Sequence, residues 1–393
     1  MTKCLACRRG NLKLFLDLGQ QPLANKYPAT KQEFENEDFF PLQVFFCPRC
    51  QNIQLGTIVS RDRMFIDYYY LSSVNPGLVR HFKQLAADLA GANFVVDIGS
   101  NDGVLLKPLQ ERGIKAVGVD PSINVSKVAH DAGLTTIVSF FTTQAANTIK
   151  REYGQPDVII ASSVFTHVRD PHEFIEAVQL LMADDGKLII EVEYIGNIIK
   201  KIQFERFYLD RVFYFSLQSL NHLFTAHNMS IIDAQEIEPH GGSIRVIVKK
   251  GRASASRQAR RFLSKERTIL NPTRLARFTN NVEEGITAFR NKLMDCKATG
   301  IKVAGYGAPA RLATICNYGK IGPELIDYVV DDSPLKQGRF TPGTHIPIVG
   351  VDHLHRHQPD YLVVFAYEYL DDIKKKIIGN FQYWMPVPPL EVT

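Results

Sequence analysis

The chain has 393 residues, of which 45% are hydrophobic and 22% charged, and its formal net charge is +5. This length allows two or three domains with their own cores, and a small positive charge without long basic runs fits an anionic small ligand better than a nucleic-acid track. No run of about 18 uncharged apolar residues suggests a membrane span, and the N-terminus does not resemble a secretory signal. We therefore expect a cytoplasmic, monomeric protein that binds neither nucleic acid nor membrane.

Four of the six cysteines form two CxxC pairs near the N-terminus. The pairs are Cys4 with Cys7 and Cys47 with Cys50, and together they can present four thiolates to one tetrahedral zinc ion. A redox motif would need only one such pair. Because a shell of four cysteines leaves no coordination position for a substrate, the zinc is expected to be structural. We assign residues 1–75 to a small zinc-binding domain that the metal stabilises.

The rest of the chain alternates helical patterns with short apolar runs. Between residues 76 and 250 the runs are FVVDIGS, KAVGVD, TTIV, DVIIASS, KLIIEV and SIRVIVKK. This alternation predicts an α/β domain with a doubly wound, largely parallel sheet. Residues 251–299 lack strand patterns and are expected to form linking helices. The runs KVAGYGA, IDYVVDD and YLVVFAYEY then predict a smaller Rossmann-like α/β domain at 300–393.

A glycine-containing loop follows the first strand of the central domain. It reads DIGSNDG from Asp97 to Gly103, and an acid, Asp120, ends the next strand about twenty residues later, where a ribose diol is gripped in nucleotide-binding sheets. The spacing alone also fits NAD. The loop lacks a full GxGxxG, however, and resembles the first motif of class I methyltransferases, which favours S-adenosylmethionine. The candidate cofactor-binding residues are Asp97, Gly99, Ser100, Asn101, Gly103, Asp120, Ser122, Phe140 and Ser163.

A second glycine loop, GYGAPAR, begins the C-terminal domain at residue 305. It follows a strand and is expected to open a helix, so its backbone amides could meet a pyrophosphate. The alternative is a degenerate Rossmann domain that only braces the cleft.

Further short motifs are distributed over the whole chain. They are PLAN at 22–25, LSS at 71–73, VFTHVRD at 164–170, Tyr208 with YFS at 214–216, HGGS at 240–243 with Arg245, GYGA at 305–308 and DYVVDDSPLKQGRFTPGTHIP at 327–347. Together with the cysteine pairs and the cofactor loop, these motifs resemble the sugar C-methyltransferases that act on thymidine-diphosphate-linked 4-keto-deoxysugars.

The resemblance implies a mechanism and a substrate site. A base removes the proton next to the sugar ketone, and the resulting enolate attacks the sulfonium methyl group, which requires a base, oxyanion donors and a water-poor cleft. The nucleotide diphosphate would lie between the methyltransferase and C-terminal domains. The residues expected to bind the substrate are Ser73, Glu191, Tyr208, Tyr214, Gly242, Arg245, Gly307, Arg311, Lys336 and Arg339.

One stretch departs from the family pattern. Family members usually show Tyr-His-Glu-His where this chain has Tyr208-Leu209-Asp210-Arg211. An arginine cannot serve as an ordinary base near neutral pH, although it suits a carboxylate, a phosphate or an oxyanion. Glu193, where the family often has proline, could be a new catalytic group. The candidate catalytic residues are His167, Tyr208, Asp210, Arg211 and His240.

Three accounts of this departure remain open. In the first, His167, Tyr208 or His240 serves as the base, and His167 is preferred because an imidazole titrates near neutrality. In the second, the acceptor differs, for example a more acidic carbon or an oxygen. Alternatively, the chain binds the cofactor or a nucleotide sugar without catalysing methyl transfer.

Overall fold

A computed structural model of the chain describes residues 3–9, 11–66, 68, 70–266, 268–377, 379, 381–387 and 390–392, with only the backbone at 240 and 390–392. These residues form two compact units. Unit 1 comprises residues 1–13, 45–200 and 211–271, and unit 2 comprises 14–44, 201–210 and 272–393. Among the described residues, we find no helix with the length and apolarity needed to cross a membrane.

Seventeen β-strands are defined in the described residues. They are β1 Lys13–Pro22, β2 Phe39–Phe46, β3 Ile53–Leu55, β4 Phe94–Ile98, β5 Lys115–Asp120, β6 Thr136–Val138, β7 Val158–Ser162, β8 Lys187–Glu193, β9 Phe213–Tyr214, β10 Met229–Ile237, β11 Ser243–Lys250, β12 Val303–Tyr306, β13 Val329–Val330, β14 Ile348–Val349, β15 Tyr361–Val364, β16 Gln382–Met385 and β17 Leu390–Val392.

The same residues contain thirteen α-helices. They are α1 Asp62–Phe65, α2 Pro76–Asp88, α3 Leu106–Gln110, α4 Ile123–Asp131, α5 Thr143–Tyr153, α6 Pro171–Leu181, α7 Ile195–Lys201, α8 Leu217–Ala226, α9 Arg257–Glu266, α10 Pro272–Ala298, α11 Ala310–Gly319, α12 Val351–Arg356 and α13 Leu370–Lys376.

Unit 1 is built on a seven-stranded sheet in the order β10-β11-β8-β7-β4-β5-β6. The five strands from β8 to β6 are parallel, whereas β11 and β10 are antiparallel additions at one side. Chain order reverses between β4 and β7, and this is the switch point where α/β sheets bind ligands. The predicted doubly wound sheet is confirmed. The sequence did not predict β10, because only part of this edge strand is buried and its apolar run is short.

Alternate residues of β4 face opposite sides of the sheet, as the period of a strand requires. Val96 and Ile98 pack in a core with residues of α5, α6 and α8. Val95 instead packs with Leu85 of α2 and Leu109 of α3. All five residues of β4 are buried. Burial on both faces explains why the sequence shows a continuous apolar run there.

Unit 2 contains a six-stranded sheet in the order β14-β13-β12-β15-β16-β17. Its strands are parallel except for the last pair, β16 with β17. This confirms the predicted Rossmann-like α/β domain. The stretch 251–299 is mainly helical, as expected, but contacts group α9 with unit 1 and α10 with unit 2. Residues 14–44 also group with unit 2, so the four domain ranges drawn from the sequence remain a prediction.

A buried glutamate joins two helices of unit 1. Glu266, at the end of α9, is fully buried, and its carboxylate accepts hydrogen bonds from the amides of Leu217 (2.7 Å) and Gln218 (2.6 Å). These are the first two residues of α8, whose N–H groups have no partner inside the helix. Burial raises the pKa of Glu266 to about 7, although the two amides and the Tyr194 hydroxyl act to lower it.

Replacing Glu266 with alanine should destabilise unit 1, because two buried amides would lose their acceptor. We expect a loss of about 2–4 kcal/mol from two unsatisfied donors, with faster hydrogen exchange at the start of α8. Lys265→Ala, at an exposed position, is the control. The carboxyl is held protonated more tightly in the folded state, so its contribution to stability should fall as pH rises from about 5 to about 8. An unchanged exchange rate at Leu217 and Gln218 would contradict this role.

Candidate active site and metal centre

The four cysteines of the CxxC pairs lie together in unit 1. Their Sγ atoms all lie within 4.8 Å of one another, with 3.6 Å between Cys4 and Cys50 and 3.8 Å between Cys7 and Cys47. Zinc–sulfur bonds of about 2.3 Å in a tetrahedron place the sulfurs about 3.8 Å apart. The donor set therefore fits zinc and leaves no position open, which identifies a structural centre.

Hydrogen bonds connect this metal centre to the central domain. Leu5, between the first two cysteines, donates its amide to Gln54 Oε1 (2.8 Å), and its carbonyl lies 3.2 Å from Nε2 of His172 at the start of α6. The other ring nitrogen of His172 lies 2.7 Å from His227 Nε2. Burial lowers the pKa of both histidines. The segment with the four cysteines is thus attached to the rest of unit 1 through partly buried polar contacts.

The loop after β4 requires glycine at two positions. Gly99 and Gly103 have φ angles of 75° and 82°, which other residues rarely adopt. A Cβ atom on Gly99 would lie 2.9 Å from Val164 Cβ, and one on Gly103 would lie 2.3 Å from a methyl of Leu134. The loop can therefore pass close to the sheet edge only with glycines at these positions.

Asp120 holds the glycine loop from the end of β5. One carboxylate oxygen accepts from the Asn101 amide (2.9 Å) and the other from the Ser122 amide (2.9 Å). The side chain of Asn101 accepts in turn from the amide of Ser72 (2.9 Å). Burial raises the pKa of Asp120. The structure therefore joins the predicted residues Asn101, Asp120 and Ser122 in one network, in which Asp120 also shapes the loop.

Two predicted cofactor residues, Asp97 and Ser100, are buried polar groups whose side chains form no hydrogen bond with the described part of the chain. The Asp97 side chain accepts no hydrogen bond from the described residues, and burial, with the charges of Asp120 and Glu191, raises its pKa well above the usual value. The Ser100 hydroxyl is also buried and has no hydrogen-bond partner in the described part of the chain. It faces Gly118 of β5. Buried polar groups are normally bonded, so the Asp97 carboxyl fits a ligand that brings a cation or a donor.

Other predicted residues lie around the same edge of the sheet. Ser163 follows β7 with φ 58° and donates its amide to the Glu191 carbonyl (2.8 Å). The ring of Phe140 is covered by the Arg61 guanidinium at 4.4 Å. His167 ends a short 3-10 helix, Phe165–His167, with its ring 5.2 Å from that of Phe65.

Ser73, predicted as a substrate residue, contacts the cofactor loop through its backbone amide. Its amide donates to the Asp102 carboxylate at 3.0 Å. Tyr214 is fully buried in β9, opposite Ile53 of β3. Gly242 has φ 122°, and a Cβ there would lie 2.7 Å from the Asn197 side chain. The side chain of His240 lies outside the described residues.

Glu191 in β8 is surrounded by hydrogen-bond donors. Its carboxylate oxygens lie 2.8 and 3.0 Å from His81 Nε2, and it accepts from Ser162 Oγ (2.7 Å) and Arg245 Nε (2.7 Å). Burial would raise the pKa of Glu191, but His81 and Arg245 outweigh it and lower the pKa. The sequence paired neither residue with Glu191, and nothing local marks His81 on α2 as its partner.

Two departures from the family pattern meet in the structure. Arg211 forms an ion pair with Glu193, the last residue of β8. The side chains are only 8% and 5% exposed, so water screens this pair weakly. The arginine at the position of the usual histidine therefore has a carboxylate partner where the family often has proline.

Tyr208 and Asp210 belong to unit 2, whereas Arg211 belongs to unit 1. Asp210 is buried and accepts from the side-chain amide of Asn25 at 2.6 Å. Tyr208 is half-buried. The PLAN motif therefore contacts the stretch that departs from the family pattern.

The C-terminal glycine loop is bonded within its own domain. Gly307 has φ 84°, and the next amide, that of Ala308, donates to the Asp331 carboxylate (2.7 Å). The Ala308 carbonyl accepts from Tyr27 Oη (2.8 Å) and Lys336 Nζ (3.0 Å). Lys336 also pairs with Asp331 at 3.5 Å, so the loop is bonded to groups of its own unit.

The remaining basic candidates of unit 2 also have internal partners. Arg311 donates to Glu368 (2.8 Å) and stacks over the Tyr367 ring at 4.7 Å. Arg206 shares the same Glu368, and the two arginines, acting against burial, lower its pKa to about 2. Arg339 donates to the Tyr27 carbonyl at 3.1 Å. Arg311 is thus part of a buried charge cluster, and nothing in the sequence indicated these partners.

Known proteins and family models are similar to each part of this chain. Family models match a zinc binding domain at residues 4–65, a methyltransferase domain at 70–234 and a C-methyltransferase C-terminal domain at 238–385. C-methyltransferase NovU of Streptomyces niveus is 30% identical, over 98% of this chain and 95% of NovU. A ubiquinone biosynthesis O-methyltransferase of Acinetobacter baylyi is 25% identical, over 30% of this chain and 50% of its own length. The solved structure of magnesium protoporphyrin IX methyltransferase from Synechocystis is 17% identical, with a TM-score of 0.36, over 44% of this chain and 84% of that one.

The sheet, the glycine loop and the family matches define an S-adenosylmethionine-dependent methyltransferase with a structural zinc centre. More particularly, the chain belongs to the C-methyltransferase family, as its similarity to NovU over nearly the whole length shows. The predictions of the enzyme class, the methyl donor and the zinc are confirmed.

The purified protein should contain about one zinc per chain, because four thiolates complete a single shell. Cys4→Ser should lose most of this zinc and lower the melting temperature, since metal binding contributes folding free energy. Metal analysis and thermal melts measure both effects. Cys296→Ser removes a buried cysteine outside the cluster and should retain the zinc. Full zinc occupancy in Cys4→Ser would contradict the ligand assignment.

Asp97→Asn should weaken S-adenosylmethionine binding about 10- to 100-fold, the loss expected for one charge-assisted hydrogen bond. In the wild type, affinity for this cationic ligand should rise with pH, because the buried carboxyl must ionise to pair with it. The variant should lose this dependence. Calorimetry across pH provides the measurement, with exposed Asp185→Asn as control. The same pH dependence in Asp97→Asn would remove Asp97 from this role.

Proposed function

We propose that this enzyme transfers a methyl group to a ring carbon of a nucleotide-diphosphate-linked 4-keto-deoxysugar, with thymidine diphosphate as the expected nucleotide. The observation that carries the proposal is the concentration of buried charged groups at one edge of the unit 1 sheet. Asp97 and Asp120 lie there beside the cofactor loop, and the Glu193–Arg211 pair lies at the end of β8. Carbon methylation needs both kinds of group, one set to bind the donor and another to move a proton.

The residues of the loop fit the methyl donor. The Asp97 carboxyl can pair with its ammonium group, and Asp120 stands where a ribose diol is bound in such sheets. The glycines at 99 and 103 let the backbone approach closely. When bound, S-adenosylmethionine supplies an electrophilic methyl group. The protein must hold this group against a carbon nucleophile and keep water out.

The acceptor carbon must lose a proton before or during methyl transfer. A proton next to a ketone is acidic because the enolate spreads its charge onto oxygen, so the site needs a base and a cation or hydrogen-bond donor. His167 and Glu193 are the candidates for the base in unit 1. The resemblance to enzymes acting on 4-keto sugars and the similarity to a C-methyltransferase over nearly the whole length support this acceptor class.

Mass spectrometry of reactions in heavy water tests the proposed function. The enzyme is incubated with S-adenosylmethionine and thymidine-, cytidine- or guanosine-diphosphate 4-keto-deoxysugars. A product with one added methyl and without the original ring proton would support the proposal and identify the sugar. A methylated product that retains this proton would show transfer to oxygen. Absence of both methylation and deuterium incorporation with every sugar would exclude this acceptor class.

A further inference from the structure

We propose that Glu193 is the general base of this enzyme and that Arg211 is the residue that positions it. The inference rests on the proposed function, because it requires an acceptor with a proton next to a ketone. It names the group that takes this proton in a chain whose arginine cannot do so.

The position of Glu193 suits this role. It is the last residue of β8, beyond which the chain turns into α7. Since β8, β7 and β4 run parallel, the end of β8 lies at the same edge as the cofactor loop, where α/β sheets bind their ligands. On its other side, β8 pairs with the antiparallel strand β11, and Glu193 lies opposite Ser243 there. The backbone of Glu193 is therefore held by its pairing with β11 rather than carried by a loop.

The energetics of the ion pair also favour a functional role. In a buried ion pair, the loss of hydration of the two charges offsets much of their electrostatic attraction. Proteins with apolar replacements of similar size are therefore often equally stable. The Glu193 and Arg211 side chains are 5% and 8% exposed. Stability alone therefore gives little reason for a charged pair here. A fixed carboxylate at a ligand-binding edge gives a direct one.

The neighbouring acid, Glu191, is unsuited to be the base. It lies two residues before Glu193 and hence on the same face of β8. Its carboxylate already receives Ser162 and Arg245 and contacts His81, and these contacts, against burial, lower its pKa. The pairing of β8 with β7 ends at Glu191, opposite Ser162, whereas Glu193 lies beyond this last pair and nearer the edge at which α/β sheets bind their ligands.

The proposed reaction consists of proton removal followed by methyl transfer. A Glu193 oxygen takes the proton of the sugar carbon, the C–H electron pair forms the enolate, and Glu193 becomes a neutral carboxylic acid. The enolate carbon then forms a bond to the methyl carbon of the donor, and the electron pair of the broken methyl–sulfur bond stays on sulfur in S-adenosylhomocysteine. The proton on Glu193 passes to water when the product leaves. Arg211 keeps the carboxylate in place before the step.

The test separates proton removal from methyl transfer. Wild type and variants are incubated in heavy water with the thymidine-diphosphate 4-keto-deoxysugar and no methyl donor, and deuterium incorporation at the ring carbon is followed by mass spectrometry. Glu193→Gln should lower the exchange rate by about 100-fold or more, the usual contribution of a general base, and should bind S-adenosylmethionine with unchanged affinity by calorimetry. Exposed Glu238→Gln is the matched control and should exchange like the wild type.

Two further variants distinguish a base from a structural pair. Glu193→Asp keeps a carboxylate on a shorter stem and should recover part of the exchange that Glu193→Gln loses. Arg211→Lys should shift the acidic limb of the pH–rate profile to higher pH, because a weaker cationic partner leaves the carboxylate more basic. A purely structural pair would change melting temperature and leave this limb in place.

The outcomes are distinct. Loss of exchange in Glu193→Gln, with retained donor binding and partial rescue by aspartate, would establish the base. Wild-type exchange in Glu193→Gln together with loss in His167→Asn would overturn the assignment in favour of the histidine. If the wild type itself shows neither exchange nor methylation with any of the sugars, the proposed function fails first, and the base assignment fails with it.

Discussion

The parallel pairing of β4 with β5 on one side and β7 on the other is the constraint on which the site depends. Parallel strands end at the same edge of a sheet, so the loops after them come together although they are far apart in sequence. The glycine loop follows β4, Asp120 is the last residue of β5, and Ser163 follows β7. The burial of β4 on both faces provides the rigid support that a preorganised site needs.

The buried acids at this edge differ in their hydrogen-bonding and charged partners. Glu191 is stabilised by a histidine, an arginine and a hydroxyl, and its pKa is lowered. Asp120 binds backbone amides. Asp97 receives no hydrogen bond from the described residues, and its pKa is raised. Glu193 has the guanidinium of Arg211. The same carboxyl group therefore has a lowered pKa in Glu191 and a raised pKa in Asp97, because the neighbouring groups differ.

In both α/β units an aspartate at the end of a strand accepts hydrogen bonds from the glycine loop, but the charges around the two aspartates differ. Asp331 in unit 2 accepts from the glycine-loop amide of Ala308 and from the Ser333 amide, just as Asp120 accepts from its own loop and from Ser122. In unit 2, however, Lys336 lies beside the acid and also binds the loop carbonyl. The charge that a nucleotide-binding loop would direct at its ligand is thereby partly neutralised within the domain.

The sequence by itself determined what short-range patterns encode. Apolar runs predicted nine strands of the two α/β domains, CxxC spacing predicted the Cys4 to Cys50 cluster, and glycines after a strand predicted both loops. It did not reveal β10, whose residues are only partly buried, or the association of residues 14–44 with unit 2. Nor could it show that Arg211 pairs with Glu193 or that His81 contacts Glu191. Local patterns record the periodicity of one element, whereas a buried charge finds its partner only when distant elements pack, and that was decided by the tertiary structure.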